Sequence, residues 1–598
     1  MLKEIVALTT AFEAKHQVKL HLSGLPYIRT VVSNKIAGEF KLFLALAVLI
    51  TAVILLLFFR SLSAVIFPLI VVGIGVVLSL GTLVLFGYKI TLLTALIPPL
   101  IVVIGIPNCI LLLNKYHTEY MLHQNKVQAL SIAVKQIGIT TFYANVTTAI
   151  GFGVFAFTKS EVLTQFGIVA AINVMATWIM SMVLIPVIFS FLPNPKLWQT
   201  RHLDNQVLKT FIHKIDHWIH FDRKKIYWTT LIIILISLVG VSKININGYM
   251  VDDLPKNDPI LADLRFFEQN FDGVLPLEIK IDTKRKNGLA NISMLKKIEK
   301  LENMISAYPA ISKSLSVNEV LKFSKQAYYN GDPNFYSSPT QSEALFILKY
   351  AKNAGKASGS NSLMRTYVDS LNQSTRISFQ MADIGSKKTN ALFTELKPRI
   401  DSIFNPSKYE VLLTGASVIF VDGTNYLFTN LRESLLLAIA LIALLMLVLF
   451  RTMKMVIISL LPNIIPLLIT AGIMGFVGIN LKPSTILIFS IAFGIASDQT
   501  LYFLTKYRHE QKTKNWDISK LTSITLKESG LGMIYTAIIL FFGFGIFAAS
   551  NFGGTVSLGI LISITLLVAV ISNLILLPSL LLSLEKSIHK KAASDLKS

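Results

Sequence analysis

The chain has 598 residues, 53% of them hydrophobic and only 15% charged, which excludes an ordinary soluble enzyme, whose charged share is about a quarter. A net charge of +22 would suggest nucleic acid in a soluble protein, but the bases form no face interleaved with aromatics, so nucleic acid is excluded as a partner. The single cysteine, Cys109, excludes a disulfide framework and a cysteine-based metal site.

In chain order, residues 1–39 read as the C-terminal remnant of an outer domain: a helix near Met1, then Val18–Leu22 as a strand-like segment. Apolar runs of about twenty residues follow, each long enough to cross a bilayer. Eleven spans are predicted, at 41–59, 64–86, 91–113, 141–158, 164–192, 226–242, 433–450, 454–478, 483–505, 533–550 and 554–582. The fifth and the last are long enough to tilt. They divide the chain into a first transmembrane repeat of five helices (40–192), a basic linker (193–225), the first helix of a second repeat (226–242), an outer segment (243–430), five further helices (431–582) and a basic tail (583–598).

In the linker, Val207-Leu208, Phe211-Ile212, Ile215 and Trp218-Ile219 are apolar at helical spacing, which predicts a helix lying in the membrane interface. His213 and His217, four apart on it, have a metal-compatible spacing, but without further ligands they read as a solvated face. The outer segment mixes strand patterns (277–281, 376–381, 409–413) with helical ones (294–305, 387–404), the signature of an α+β domain. Residues 352–362, rich in Gly, Ser and Asn, read as a mobile connector.

Twenty-three Lys and Arg residues fall in the loops and tail on one side of these spans, against only Lys89, Lys159 and Lys482 in the short loops opposite. By the positive-inside rule, the basic side and the C-terminus are cytoplasmic and 243–430 is outside.

The two halves repeat one another. Leu22-Ser23-Gly24 matches Leu413-Thr414-Gly415 at a spacing of 391 residues, and Phe59-Arg60/Phe450-Arg451, Gly87/Gly478 and Lys115-Tyr116/Lys506-Tyr507 keep it. After one inserted residue the spacing is 392, from Ser131/Ser523 through Phe152-Gly153/Phe544-Gly545 to Pro186/Pro578. The copies share one orientation, so an axis along the membrane normal should relate them. In the second copy 205 residues, 226–430, precede its second helix, whereas the first copy has 39. The expectation is that a first helix and most of a first outer domain, 166 residues, are missing from this chain by truncation or a split gene.

Asp498 stands in the uncharged run Ser490–Leu504. A carboxylate at the centre of a spanning helix costs about 2.5–3.5 kcal/mol on insertion scales, and such residues mark ion paths by default. Protonation removes most of that penalty, so a proton gradient can throw the switch. Asn108 is the first candidate for a hydrogen-bond partner across the repeat interface, with Gln499, Thr500, Tyr535 and Thr536 behind it. Gly151, Gly153, Gly543 and Gly545 should allow close helix approach. A phosphate-binding loop, a Ser/His/Asp set and paired catalytic carboxylates are all lacking, so no enzyme, cofactor or resident metal is expected.

These features resemble the resistance–nodulation–division superfamily, specifically its MMPL or hydrophobe/amphiphile exporter branch, with Patched-like and sterol-sensing proteins more distant. Gly494-x-x-x-Asp498 resembles that family's proton-relay motif, and Leu504–Glu510 its cytoplasmic continuation. Val251–Lys256, Phe271-Asp-Gly273 and Pro276–Ile279 resemble the entry to its second outer domain. The resemblance implies porter-like outer subdomains, a bacterial cytoplasmic (inner) membrane, and export of lipids or other hydrophobic molecules coupled to proton entry. It leaves open a homo-oligomer or accessory envelope proteins. One departure matters: many members carry an acid in both repeats, but here Pro107 occupies the position equivalent to Asp498. A non-transporting sterol-sensing-like sensor or scaffold, an inactive fragment, and, more weakly, a protein-translocation accessory therefore stay open.

Overall fold

The computed structural model describes residues 2–91, 93–200, 206–245, 247–249, 254, 258–271, 273–340, 342–343, 366–513 and 517–595. In chain order its principal helices are α1 (Leu2–His16), α2 (Leu25–Phe59), α3 (Leu62–Leu85), α4 (Ile97–His123), α5 (Lys126–Gly153), α6 (Glu161–Phe191), α7 (Gln206–Phe221), α8 (Arg223–Ser242), α9 (Pro259–Asn270), α10 (Ile292–Ser306), α11 (Val317–Tyr328), α12 (Ser386–Ile403), α13 (Ala416–Phe450), α14 (Met453–Val477), α15 (Pro483–Thr513), α16 (Ile518–Gly545) and α17 (Gly553–Asp595). Three strands, β1 (Leu275–Asp282), β2 (Ser374–Met381) and β3 (Glu410–Thr414), complete it. The chain forms two compact units, residues 1–30 with 247–426, and residues 31–246 with 427–598.

The first unit is α+β. β1 is central, antiparallel to both neighbours, in the order β2-β1-β3. Ile279 faces Ile377 on one side and Leu413 on the other. Alternate residues Leu275, Leu277, Ile279 and Ile281 are buried, as a period of two on a one-sided sheet requires. They pack with Met294, Ile298, Leu301 and Ile305 of α10 and Leu396 and Ile400 of α12. All three predicted strands and both predicted helices are present; α9 and α11 are additional. Val18–Leu22 is not a strand. The backbone around it is held instead by Asp263, whose carboxylate bonds His21 at 2.8 Å and accepts from the Leu22 amide. The predicted connector 352–362 and most of the Val251–Lys256 motif lie outside the described residues.

Among the described residues, eleven helices are long and apolar enough to span a membrane, one at each predicted span. The helices run past the predicted ends: α4 runs to His123 and α5 starts at Lys126, so the basic stretch 114–140 expected between spans is nearly all helix, as are 506–513 and 518–530. Lys115–Glu119 (2.6 Å) and Lys506–Glu510 (2.9 Å), repeat equivalents at i,i+4 spacing, lie on these helical extensions.

The second unit shows the duplication in its packing. In the first half α3 packs on α4 and α6, α4 on α5 and α6, and α5 on α6. In the second, α14 packs on α15 and α17, α15 on α16 and α17, and α16 on α17. α5 crosses to α15, and its equivalent α16 crosses to α4. Backbone conformation repeats too. Gly24 and Gly415 (φ 120° and 105°), Arg60 and Arg451 (49° and 58°) and Gly87 and Gly478 (67° and 77°) share positive φ at equivalent positions. For the two arginines that region is sterically disfavoured, so the shared choice reflects a shared helix-to-helix turn.

The α7 face divides. Ile212, Ile215 and Ile219 are buried against α16 and α17, while Val207, Phe211 and Trp218 are exposed. Asp216 fixes the register, accepting from Ser523 (2.6 Å) beside Lys527 (3.3 Å). α8 is the least buried span and is held to α14 by small residues. A Cβ on Gly240 would lie 2.3 Å from the Gly472 carbonyl oxygen. Gly240→Leu is therefore expected to detach α8 from α14. It should destabilise the protein by about 1–3 kcal/mol, the usual cost of overpacking, and expose 226–242 to protease in detergent.

Candidate functional site

Asp498 sits on α15 where α5 crosses it. One turn earlier on the same face is Gly494, and opposite it is Gly151. A Cβ built on Gly151 would lie 2.9 Å from the Gly494 Cα and 3.0 Å from the Ser490 carbonyl oxygen. Backbone meets backbone, and only glycine permits it. That approach brings two α5 hydroxyls onto the acid. Thr147 Oγ1 donates to Asp498 Oδ1 at 2.7 Å, and Thr148 Oγ1 donates to Oδ2 at 2.6 Å.

The carboxyl is partly accessible because it borders a cavity of about 50 Å³. A water needs about 10–15 Å³ on this measure, so the space is large enough for a few waters. Asn108, Thr141, Asn145, Gln499, Tyr502 and Thr536 supply the rest of its polar lining. A second, wider cavity of about 500 Å³ is lined by Lys115, Glu119, Lys506, Lys527 and Glu528, on the basic side of the spans. Leu111 and Tyr502 line both cavities and so form the partition between them. A Cβ on Gly532 would press on both, 3.0 Å from Leu111 and 3.3 Å from the Tyr502 hydroxyl.

The expected partner, Asn108, does not bond Asp498. Its amide exchanges hydrogen bonds with Asn145 of α5 (3.1 and 2.8 Å), a pairing within the first repeat. Amide–amide pairing satisfies a donor and an acceptor on each side, which a carboxylate cannot do. Thr500 points away into a knot with Asn463 (3.0 Å) and Asn573, inside the second repeat. Thr536 reaches the cavity but donates to the Met533 carbonyl (3.0 Å). Tyr535 lines the wide cavity, its ring 4.5 Å from that of Phe58. Gln499 borders the small cavity, and both polar atoms of its side chain are buried without a partner among the described residues.

Among the other glycines, a Cβ built on Gly543 would lie 2.5 Å from the Val103 side chain of α4, the pseudo-symmetric counterpart of the Gly151–Gly494 crossing. Gly153 and Gly545 do not mark close approach: a Cβ built on either would meet Ala171 or Ser563 at an ordinary 3.7 Å. They lie at the ends of α5 and α16, past the crossings. Among the described residues no group of three His, Cys, Asp or Glu side chains is placed to hold a metal.

Sequence reasoning missed Thr147 and Thr148. A signal existed: Thr141, Asn145 and Thr148 form an i, i+4, i+7 polar stripe, and their repeat counterparts are Met533, Ala537 and Leu540. The pseudo-symmetric counterpart of the acid and its two hydroxyls is apolar, with Pro107 in the place of Asp498 and Ile539 and Leu540 in those of the threonines. Acid and hydroxyls are present together in one place and replaced together in the other.

A duplicated bundle with an intramembrane acid at the crossing of its halves defines the class of resistance–nodulation–division-type membrane transporters. The model for the MMPL family matches residues 2–220 and 332–595, one stretch in each half, and the chain belongs to that family. It is also similar to the Methanocaldococcus jannaschii membrane protein MJ1562, 22% identical over 391 residues, covering 64% of this chain and 96% of the relative.

Proposed function

We propose that the protein exports lipids or other hydrophobic molecules, driven by protons that pass through Asp498. The observation that carries this reading is the pair of threonine hydroxyls from one repeat clasping the lone acid of the other. Deprotonated, the carboxylate accepts from both. Protonated, one of its oxygens becomes a donor and the clasp must rearrange. Thr147 has the means, since its hydroxyl also lies 2.7 Å from the Ala144 carbonyl oxygen. It can donate there and accept from the acid. Each charge state thus sets a different bonding across the α5–α15 crossing, and a proton moving down the membrane potential supplies about 2.3 kcal/mol per 100 mV to choose between them.

The small cavity gives the proton water to move through, and the partition at Leu111 and Tyr502 is where its path to the basic side opens or closes. Proteoliposomes with an imposed pH gradient test the whole reading. Cargo flux that follows the gradient and collapses with a protonophore is expected; flux indifferent to the gradient refutes it. Gly532→Val, which crowds the partition without touching the acid, should slow that flux severalfold while cargo binding is kept.

A second reading, a sterol-sensing-like sensor without transport, is favoured by the apolar counterpart site around Pro107. A sensor would move neither protons nor cargo in the same vesicles.

A further inference from the structure

Beyond the transport reading, and independent of it, the structure points to a lipid site on the basic side of the membrane unit. A groove of about 490 Å³ runs between α8, α14 and α17, closed at one end by the last turn of α7. That volume is in the range of small-molecule pockets, about 300–1,000 Å³. Its walls are hydrocarbon, chiefly Ile226, Ile233, Ile465, Ile469, Val568 and Ile575. Its mouth is not. Trp218 stands there 47% exposed, the placement of an interfacial aromatic. Lys225 lines it, paired with Asp222 at 2.9 Å and 80% exposed, directly after Arg223 and Lys224. Arg223, Lys224 and Lys225 thus give the first turn of α8, at the mouth, three bases against the one acid Asp222. Three hydroxyls interrupt the wall: Thr229 and Thr230 donate back to carbonyls of their own helix, but Ser572 is only 9% exposed and its hydroxyl is buried with no partner among the described residues. A buried hydroxyl left unpaired costs about 1–3 kcal/mol, and it lines this groove.

We propose that the groove binds an anionic phospholipid, its phosphate at Lys225 and its neighbouring bases, one acyl chain along the isoleucine wall, and its ester region within reach of Ser572. Anionic lipid is abundant in the leaflet that faces basic loops, and juxtamembrane bases attract it. An acyl chain alone would ignore the basic first turn of α8, and a soluble anion would leave the apolar wall unfilled.

The test uses the full chain in detergent with a phosphatidylglycerol carrying a photoreactive group in its acyl chain, followed by peptide mapping. Crosslinks should concentrate severalfold on 226–233 and 568–576, relative to the exposed residues Leu49, Val53, Leu56 and Leu57 of α2. Unlabelled phosphatidylglycerol should displace the probe and phosphatidylcholine should not. Ile571→Trp, at the exposed lip of the groove, should remove the signal, and Lys224→Glu with Lys225→Glu should abolish the preference for the anionic lipid. Even labelling of α2 and the groove would overturn the proposal in favour of ordinary annular lipid, as would equal displacement by phosphatidylcholine. The mapping on the unaltered chain decides the matter even where a variant fails to fold. Because it reads binding alone, loss of proton coupling would not disturb it.

Discussion

Asp498→Asn is expected to abolish gradient-driven export while leaving the protein folded and inserted. Asparagine is nearly isosteric with the acid, and its amide can still bond Thr147 and Thr148, so the α5–α15 crossing keeps its contacts. What it loses is the change of charge. Nothing nearby can substitute: the first-copy equivalent is Pro107, flanked by Asn108, and the cavity lining offers amides, hydroxyls and the Tyr502 phenol but no other carboxyl. Transport should fall by at least about 100-fold, the low end of what losing an essential proton-transfer group costs. Flux in proteoliposomes with an imposed pH gradient, beside thermal unfolding in detergent, measures both halves of the expectation. The double variant Thr147→Val, Thr148→Val should give a milder defect, because it weakens the clasp and keeps the titrating group.

Gly494→Leu is expected to break the helix crossing at the site and transport with it. A Cβ at Gly494 would already lie 3.0 Å from the Gly151 Cα and 3.1 Å from the Thr147 carbonyl oxygen. Both are backbone atoms, which cannot turn aside as a flexible side chain would. The helices must separate, and with them Thr147 and Thr148 leave the acid. Overpacking costs about 1–3 kcal/mol in ordinary cores, and losing hydrogen bonds to a charged group adds about 1.5–3 kcal/mol each. Gly494→Leu should therefore lose both thermal stability and transport, whereas Gly545→Leu, where the nearest atom is Ser563 Oγ at 3.7 Å, should keep most of both. Melting temperatures of the two variants in one detergent make the comparison.

Much of the architecture was legible before any coordinates. Spans are legible because lipid demands continuous apolar helices, and β1 and β2 because a one-sided sheet alternates burial residue by residue. The repeat was legible through residues such as Arg60 and Arg451, whose shared positive φ now gives that identity a conformational reason. The acid was legible because it is alone.

Its partners were not. Repeat arithmetic maps Asp498 onto α4, and so directed attention to Asn108. The acid's actual neighbours depend on which helix crosses α15, and hydropathy carries no record of crossing. The α5 polar stripe marks a buried face but does not name what it is buried against. Helix ends were misjudged for a related reason: charged residues such as Lys115 and Glu119 read as loop, yet they pair along a continuing helix.

On this mechanism the Asp498 carboxyl gains and loses a proton between the two halves of the bundle. Difference infrared spectroscopy of the reconstituted protein across a pH titration tests it most directly. The expected result is a carboxyl carbonyl band that rises and falls reversibly with pH and is missing from Asp498→Asn. A band that never changes, or one that persists unaltered in the variant, would contradict it.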